Sequence, residues 1–463
     1  MRRGLAAGTG AYALLCAMPG LAQSVTAHSS PSPWSLTDAI APEGLTLSAS
    51  TRLRLETIDG QPKTGFNQGD TTVSLRTSVF AEYRSGEVRI GGELLDSRVW
   101  NANRKSPVTS NDVNALEPVQ AYAALDLAAP FGKESKATLK AGRFVLNLGS
   151  RRLVAADDYR NTTNGYTGVH ADIAFGAGIR ANLIYVLPQT RLPADLASVL
   201  DARAALDRES FDAVLWGGLL TRNRGAGRVS VEAGFFHFGE RDRAGLPTRD
   251  RSLDTAGGRV FREAAPGRVD FEVEAYRQWG KASAGTGVTA QLPVSAWMLH
   301  ADVGHSFAGA WKPRVSLRFD YVSGDRPGGR YNRFDTLFGM RRAELAPAGL
   351  YNAVGRANLL SPGIRVEAVP GKRSDGFLAY RALWLASATD SFSTTGVRDA
   401  RGRSGRFAGH QFEARVRHWL VPNALRLEGN ALYLAKGRFL ERAPNAPRNG
   451  DTLYTSLNLM AFF

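Results

Sequence analysis

The sequence predicts an all-β fold, a transmembrane antiparallel β-barrel of about eighteen strands with short periplasmic turns and long extracellular loops. Three observations carry that prediction. Apolar and polar residues alternate with period two along most of the chain. The connections between the alternating segments are themselves alternately short and long. The chain ends on an amphipathic segment that closes in Phe463.

The N-terminus comes first. Arg2 and Arg3 precede an Ala/Leu-rich stretch from Leu5 to Met18, and Gly20-Leu21-Ala22 supplies small residues at a cleavage position. Residues 1–22 therefore read as a signal peptide cut after Ala22. The apolar stretch is short for a membrane anchor. Cys16 lies within it and follows Leu15, which is too large for a lipoprotein signal. The mature chain then has no cysteine, which excludes disulfides, a thiol nucleophile and a thiolate metal site. Residues 23–44 are Ser/Pro-rich and read as a periplasmic leader, too short for a plug domain. The barrel is expected over 45–463.

Beyond the signal peptide no stretch approaches about 20 consecutive apolar residues, so no spanning helix is expected. A secreted, strand-rich chain then crosses a bilayer only by closing its backbone hydrogen bonds strand to strand. In segment 45–56, Leu45, Leu47, Ala49, Leu53 and Leu55 share one face, and Ser48, Ser50, Arg52, Arg54 and Glu56 share the other. Segment 71–84 repeats this, with Val73, Leu75, Val79 and Tyr83 against Ser74, Arg76, Ser78 and Glu82. In 312–323, Val315, Leu317, Phe319 and Tyr321 oppose Arg314, Ser316, Arg318 and Asp320. In 423–436, Leu425, Leu427, Ala431 and Tyr433 oppose Arg426, Glu428 and Asn430. Many segments reach the ~10 residues that a tilted membrane strand needs. Short connections such as Ser85-Gly86 and Gly176-Ala177 alternate with long ones at 57–70, 99–117, 147–167, 189–210, 324–360 and 388–407. A soluble sandwich has no reason to lengthen every second loop. The last segment, 452–463, resembles the signal read by outer-membrane assembly machinery.

Composition agrees. Hydrophobic residues make up 43% while mean hydropathy is negative, which fits interleaved rather than clustered apolar residues. Net charge is +15, spread as Arg among acids without a basic tail. A basic lumen or anionic lipid head groups account for it, and nucleic acid is not an expected partner. The inward faces carry Arg52, Arg54, Arg76, Arg314, Arg318, Arg365, Arg415, Arg417 and Arg426. Guanidinium groups keep their charge and fit carboxylates, so rings of them draw anions into a pore. Acids such as Glu56, Glu82, Asp320, Glu367, Glu413 and Glu428 are interleaved, and bracing of the wall is the competing role for each Arg. His300 and His305 fall on opposite faces of a strand and form no metal pair. No Ser–His set shares one face, so neither an enzyme nor a cofactor is expected.

Two blocks then point to a family. Ala141-Gly142-Arg143-Phe144-Val145-Leu146-Asn147-Leu148-Gly149-Ser150-Arg151-Arg152-Leu153 resembles the Gly-Arg…Gly-x-x-Arg-Leu block of the alginate export family of outer-membrane barrels. Ser323-Gly324-Asp325 followed by Phe334-Asp335-Thr336-Leu337-Phe338-Gly339 resembles its Ser-Gly-Asp…Phe-Asp-x-Leu-Phe block. The stretches 409–413, 425–429 and 436–439 resemble its closing strands. One departure stands in Asp157-Asp158-Tyr159-Arg160-Asn161: the family block usually has an aromatic after its Arg-Leu pair, and Tyr159 stands where the resemblance leads one to expect Trp. The resemblance implies an eighteen-stranded barrel with an Arg-rich constriction that exports a polyuronate, with Arg143, Arg151 and Arg152 among the selectivity residues. The expected function is passage of anionic solutes, above all export of an acidic polysaccharide such as alginate. The alternatives are a diffusion porin for organic acids or oligosaccharides, and a structural or adhesive barrel. Expected partners are outer-membrane lipid and lipopolysaccharide, the assembly machinery, the acidic solute and a periplasmic export scaffold.

Overall fold

A computed structural model describes residues 32–157, 159–243, 247–340 and 344–463. The expected cleavage site, Cys16 and Asp158 lie outside these residues. The strands are β1 (Leu45–Asp59), β2 (Asp70–Ser85), β3 (Val88–Trp100), β4 (Asn114–Ala128), β5 (Lys136–Phe144), β6 (Tyr166–Gly176), β7 (Ile179–Pro188), β8 (Ala213–Arg222) and β9 (Val229–Glu240). They continue as β10 (Ser252–Arg262), β11 (Val269–Ser283), β12 (Gln291–Ser306), β13 (Arg314–Val322), β14 (Leu359–Gly371), β15 (Ser374–Trp384), β16 (Phe407–Val421), β17 (Leu425–Lys436) and β18 (Thr452–Phe462). Each pairs antiparallel with its sequence neighbours, and β18 returns to β1, so one eighteen-stranded sheet closes on itself. Closure leaves no unpaired edge, as a hydrocarbon surround demands.

Burial is inverted relative to a soluble protein. On β1 the outward Leu53 and Leu55 are 48% and 44% exposed, whereas the inward Arg52, Arg54 and Glu56 are all buried. Period two turns one face to lipid and the other to the lumen.

The short turns share one end of the barrel with the N-terminus. The β6–β7 turn has two residues, with φ of +49° at Ala177 and +75° at Gly178, the positive pair that a two-residue type I′ hairpin turn requires. A Cβ on Gly178 would lie 1.8 Å from the Asn223 carbonyl oxygen, so only glycine fits. The leader packs at the same end. Helix α1 (Leu36–Ile40) is capped by Ser35, Thr37 bonds the Leu47 backbone at 2.7 Å, and Trp34 stacks on Phe463 at 5.8 Å.

Three long loops fold inward at the other end. The 145–165 loop buries Leu148, Leu153 and Tyr159; the 323–358 loop buries Phe334, Leu345, Leu350 and Tyr351; the 385–406 loop buries Phe392 and Val397. They form one apolar core with inward residues of the wall such as Val186, Phe236, Met298 and Leu383. Backbone hydrogen bonds join the first two loops, from Phe338 N–H to Leu153 O (2.9 Å), Ala155 N–H to Phe338 O (3.1 Å) and Met340 N–H to Arg151 O (2.9 Å). A Cβ on Gly339 would lie 1.8 Å from the Arg152 carbonyl oxygen, so glycine lets the loops meet.

Loop placement makes the topology testable. Ala400, exposed in the 385–406 loop, and Lys133, exposed in the β4–β5 turn, lie at opposite ends. An Ala400→Cys variant is expected to react with an impermeant maleimide on intact cells, and Lys133→Cys only after lysis. The reverse pattern would invert the orientation.

Candidate functional site: the charged lumen

The candidate site is the inward face, and its Arg residues fall into three groups. The first is caged. Arg152, on the 145–165 loop, donates to Glu272 and Glu274 of β11 and to Glu344 of the 323–358 loop, with Nε–Oε2 of Glu344 at 2.8 Å. Arg356 pairs with the same Glu344. Arg381 of β15 bonds Asp320 (2.6 Å) and the Glu344 carbonyl (2.7 Å), and His300 bonds the other Asp320 oxygen at 2.7 Å. Glu272, His300 and Glu344 offer ligand atoms within 4.8 Å of one another, but the guanidinium of Arg152 already supplies positive charge there. Arg151 is buried in the tight turn beside it, with φ of +66°.

The second group braces the wall. Arg314 of β13 reaches Asp270 (3.1 Å), Asp302 (2.6 Å) and Glu367 (3.4 Å). Arg417 lies 2.8 Å from Asp375 on the paired strand. Arg54 donates to the Tyr159 carbonyl at 2.8 Å and lies 4.1 Å from that ring. Tyr159 thus locks the 145–165 loop onto β1.

Arg143 departs from the pore-lining expectation. It shares the parity of the exposed Leu139 and Ala141 of β5. Its guanidinium meets Glu117 (2.6 Å), Glu209 (2.7 Å) and the Asp207 carbonyl (2.8 Å). These bonds pin the 189–212 loop to the wall, so its charge is spent on structure rather than turned to the lumen.

The third group sets guanidinium groups close to one another. Arg52 and Arg76 are direct cross-strand partners on β1 and β2, and both donate to the Arg160 carbonyl, at 2.7 and 3.4 Å. These bonds also tie the 145–165 loop to β1 and β2. Arg365 of β14 and Arg415 of β16 flank Phe377 of β15, and Arg318 of β13 lies near Arg365. The Arg365 and Arg415 guanidinium carbons lie 3.6 and 4.8 Å from the Phe377 ring centroid. Each Arg also has a carboxylate in reach: Asp302 at 2.6 Å, Glu367 at 2.6 Å and Asp375 at 3.7 Å respectively. Arg318 Nε and Arg365 Nη2 make the two 2.6 Å contacts, whereas Arg318 Nη2 and Arg365 Nε are buried without a hydrogen-bond acceptor. Arg426 lies below, 5.2 Å from the Trp419 ring at the short-turn end.

Sequence reasoning missed Arg160, Arg356, Arg381 and Phe377. The parity of β15 carried a signal for the last two, since Asp375, Phe377 and Arg381 alternate inward.

The 189–212 loop adds a pH-sensitive contact. Burial, then the neighbouring Glu117 carboxylate, pushes the Asp207 carboxyl up to about 6. A folded-state pKa above the unfolded value near 4 means that the folded protein binds more protons across that window. Stability of the loop therefore falls as pH rises from about 4 to about 6. Protection factors of the 189–212 amides, corrected for the pH dependence of intrinsic exchange, are expected to be higher at pH 4.5 than at pH 7.5, and Asp207→Asn is expected to flatten the difference. An unchanged profile in that variant would assign the effect elsewhere.

A closed barrel with an apolar exterior and a charged, loop-constricted interior is an outer-membrane channel of a Gram-negative bacterium. The family model for alginate export matches residues 44–452, and the chain belongs to that family. Comparison with curated proteins finds no match. Among solved structures, the Pseudomonas aeruginosa barrel OccK9 (OpdG) aligns with a TM-score of 0.57 at 11% identity, over 91% of this chain and 98% of that one. OccK2 (OpdF) of the same organism, solved with glucuronate, aligns at 0.53 and 13% identity over 90% and 96%. OpdK, solved with vanillate, aligns at 0.54 and 12% over 90% and 98%.

Proposed function

We propose that the channel passes anionic solutes and that its principal cargo is an acidic polysaccharide moving from periplasm to surface. The observation that carries this is the Arg318–Arg365–Arg415 cluster, with Phe377 against Arg365 and Arg415. A sugar acid offers a carboxylate to the fork of guanidinium donors and C–H faces to the aromatic ring. Arg318 Nη2 and Arg365 Nε, which have no acceptor in the wall, are then completed by the passing ligand. Arg426 and Arg417 continue the charge toward the short-turn end, where a periplasmic polymer enters, and membership of the alginate export family fits that direction.

Uptake of small organic acids is the second reading. Glucuronate and vanillate in the OccK2 and OpdK structures favour it, as does the depth to which loops fill the lumen. The two are separated by adding oligouronates of increasing length to one face of a planar bilayer. Export predicts stronger block from the short-turn side as length increases. Uptake of small acids predicts block by monomers that does not strengthen with length.

A further inference from the structure

The lipid-facing side of β8–β12 carries a feature that the lumen does not explain. Near the long-loop end, registered outward residues form rows across five strands. The uppermost is Val214, Gly239, Ser252, Lys281 and Pro293; the next is Trp216, His237, Asp254, Trp279 and Ser295; the third is Gly218, Phe235, Ala256, Arg277 and Trp297. The fourth row, Leu220, Ala233, Gly258, Ala275 and Leu299, is wholly apolar, so the hydrocarbon begins there.

Arg277 and Lys281 are exposed on this outward face, about 13 Å apart along the strand at ~3.3 Å per residue. Neither side chain makes a hydrogen bond or ion pair with a described residue. Arg277 lies 5.2 Å from the Trp297 ring. Asp254, the one acid in these rows, is taken by His237 at 2.8 Å, and His237 stacks on Trp216 at 5.3 Å. Elsewhere the wall handles such a cation differently. The outward Arg98 of β3 is neutralised by Asp96 at 2.9 Å. A cation on the lipid face is costly toward the bilayer centre, and aromatic residues mark the depth of the head groups. Two unneutralised cations bracketed by Trp at that depth call for an anionic head group. In the outer leaflet of a Gram-negative outer membrane that group is phosphorylated.

We propose that Arg277 and Lys281 bind the phosphates of lipid A, with Trp279 and Trp297 packed at the junction of its sugars and acyl chains. The site gives the barrel a fixed lipopolysaccharide neighbour on the β9–β12 side. Native mass spectrometry of the detergent-purified protein with added bisphosphorylated lipid A tests this. Wild type is expected to retain lipid A. Arg277→Gln with Lys281→Gln is expected to weaken binding at least tenfold, Arg277→Lys to keep most of it, and Arg98→Gln to change nothing. Fully dephosphorylated lipid A should bind wild type as weakly as bisphosphorylated lipid A binds the double variant, an arm that needs no variant to fold. Equal binding of the two lipid forms by wild type would overturn the proposal. So would undiminished binding by a double variant that still shows heat-modifiable mobility, or equally effective displacement by phosphatidylglycerol.

Discussion

Replacing Arg152 with Met is expected to release the 145–165 and 323–358 loops from the lumen while leaving the barrel closed. Glu272, Glu274 and Glu344 all converge on this one guanidinium. Without it they face one another in a buried site, and breaking a buried ion pair in this way costs about 3–5 kcal/mol. The strand ladder does not depend on the cage, so heat-modifiable gel mobility should persist. Single-channel conductance should rise several-fold, and the 323–358 loop should become open to added protease. Adding Glu344→Gln removes one stranded carboxylate and should recover part of the wild-type behaviour. Wild-type conductance and protease resistance in Arg152→Met would mean that the apolar core alone holds the loops.

The second large effect separates Arg residues that present charge from those that brace. Changing Arg52, Arg76, Arg318, Arg365 and Arg415 together to Gln should sharply reduce anion preference and weaken block by oligouronates. Arg314→Gln and Arg417→Gln should do the opposite. Each strands buried carboxylates that now sit within hydrogen-bond reach of a guanidinium, so unfolding temperature falls while reversal potential moves little. If the two sets shift selectivity equally, the division between presenting and bracing Arg is wrong.

The wall of the barrel was open to sequence reading because lipid outside and water inside impose a strict period of two. Segment 45–56 became Leu45–Asp59, and 452–463 became Thr452–Phe462. Inward parity likewise placed Arg52, Arg318 and Arg365. The loops were harder. Leu146, Leu148, Leu345, Leu350 and Tyr351 follow no period, because they pack as an irregular plug against the inner wall. The run from Glu344 to Val354 is apolar enough to have marked it as buried. The two family-like blocks turn out to meet at Gly339 and Arg152, so part of their pattern serves loop docking. That is why Arg152 proves to be a clamp and Arg143 a pin on the 189–212 loop. Partner identity depends on which strands adjoin across the lumen, and no single segment encodes that.

The most direct test of an anion-passing channel is the reversal potential of the wild-type protein in a planar bilayer under a salt gradient. At 0.1 M the Debye length is about 10 Å and the field of the Arg cluster reaches across a pore, whereas at 1 M it is about 3 Å. The account predicts anion selectivity at low salt that fades toward 1 M. A wild-type channel that prefers cations at 0.1 M would contradict it.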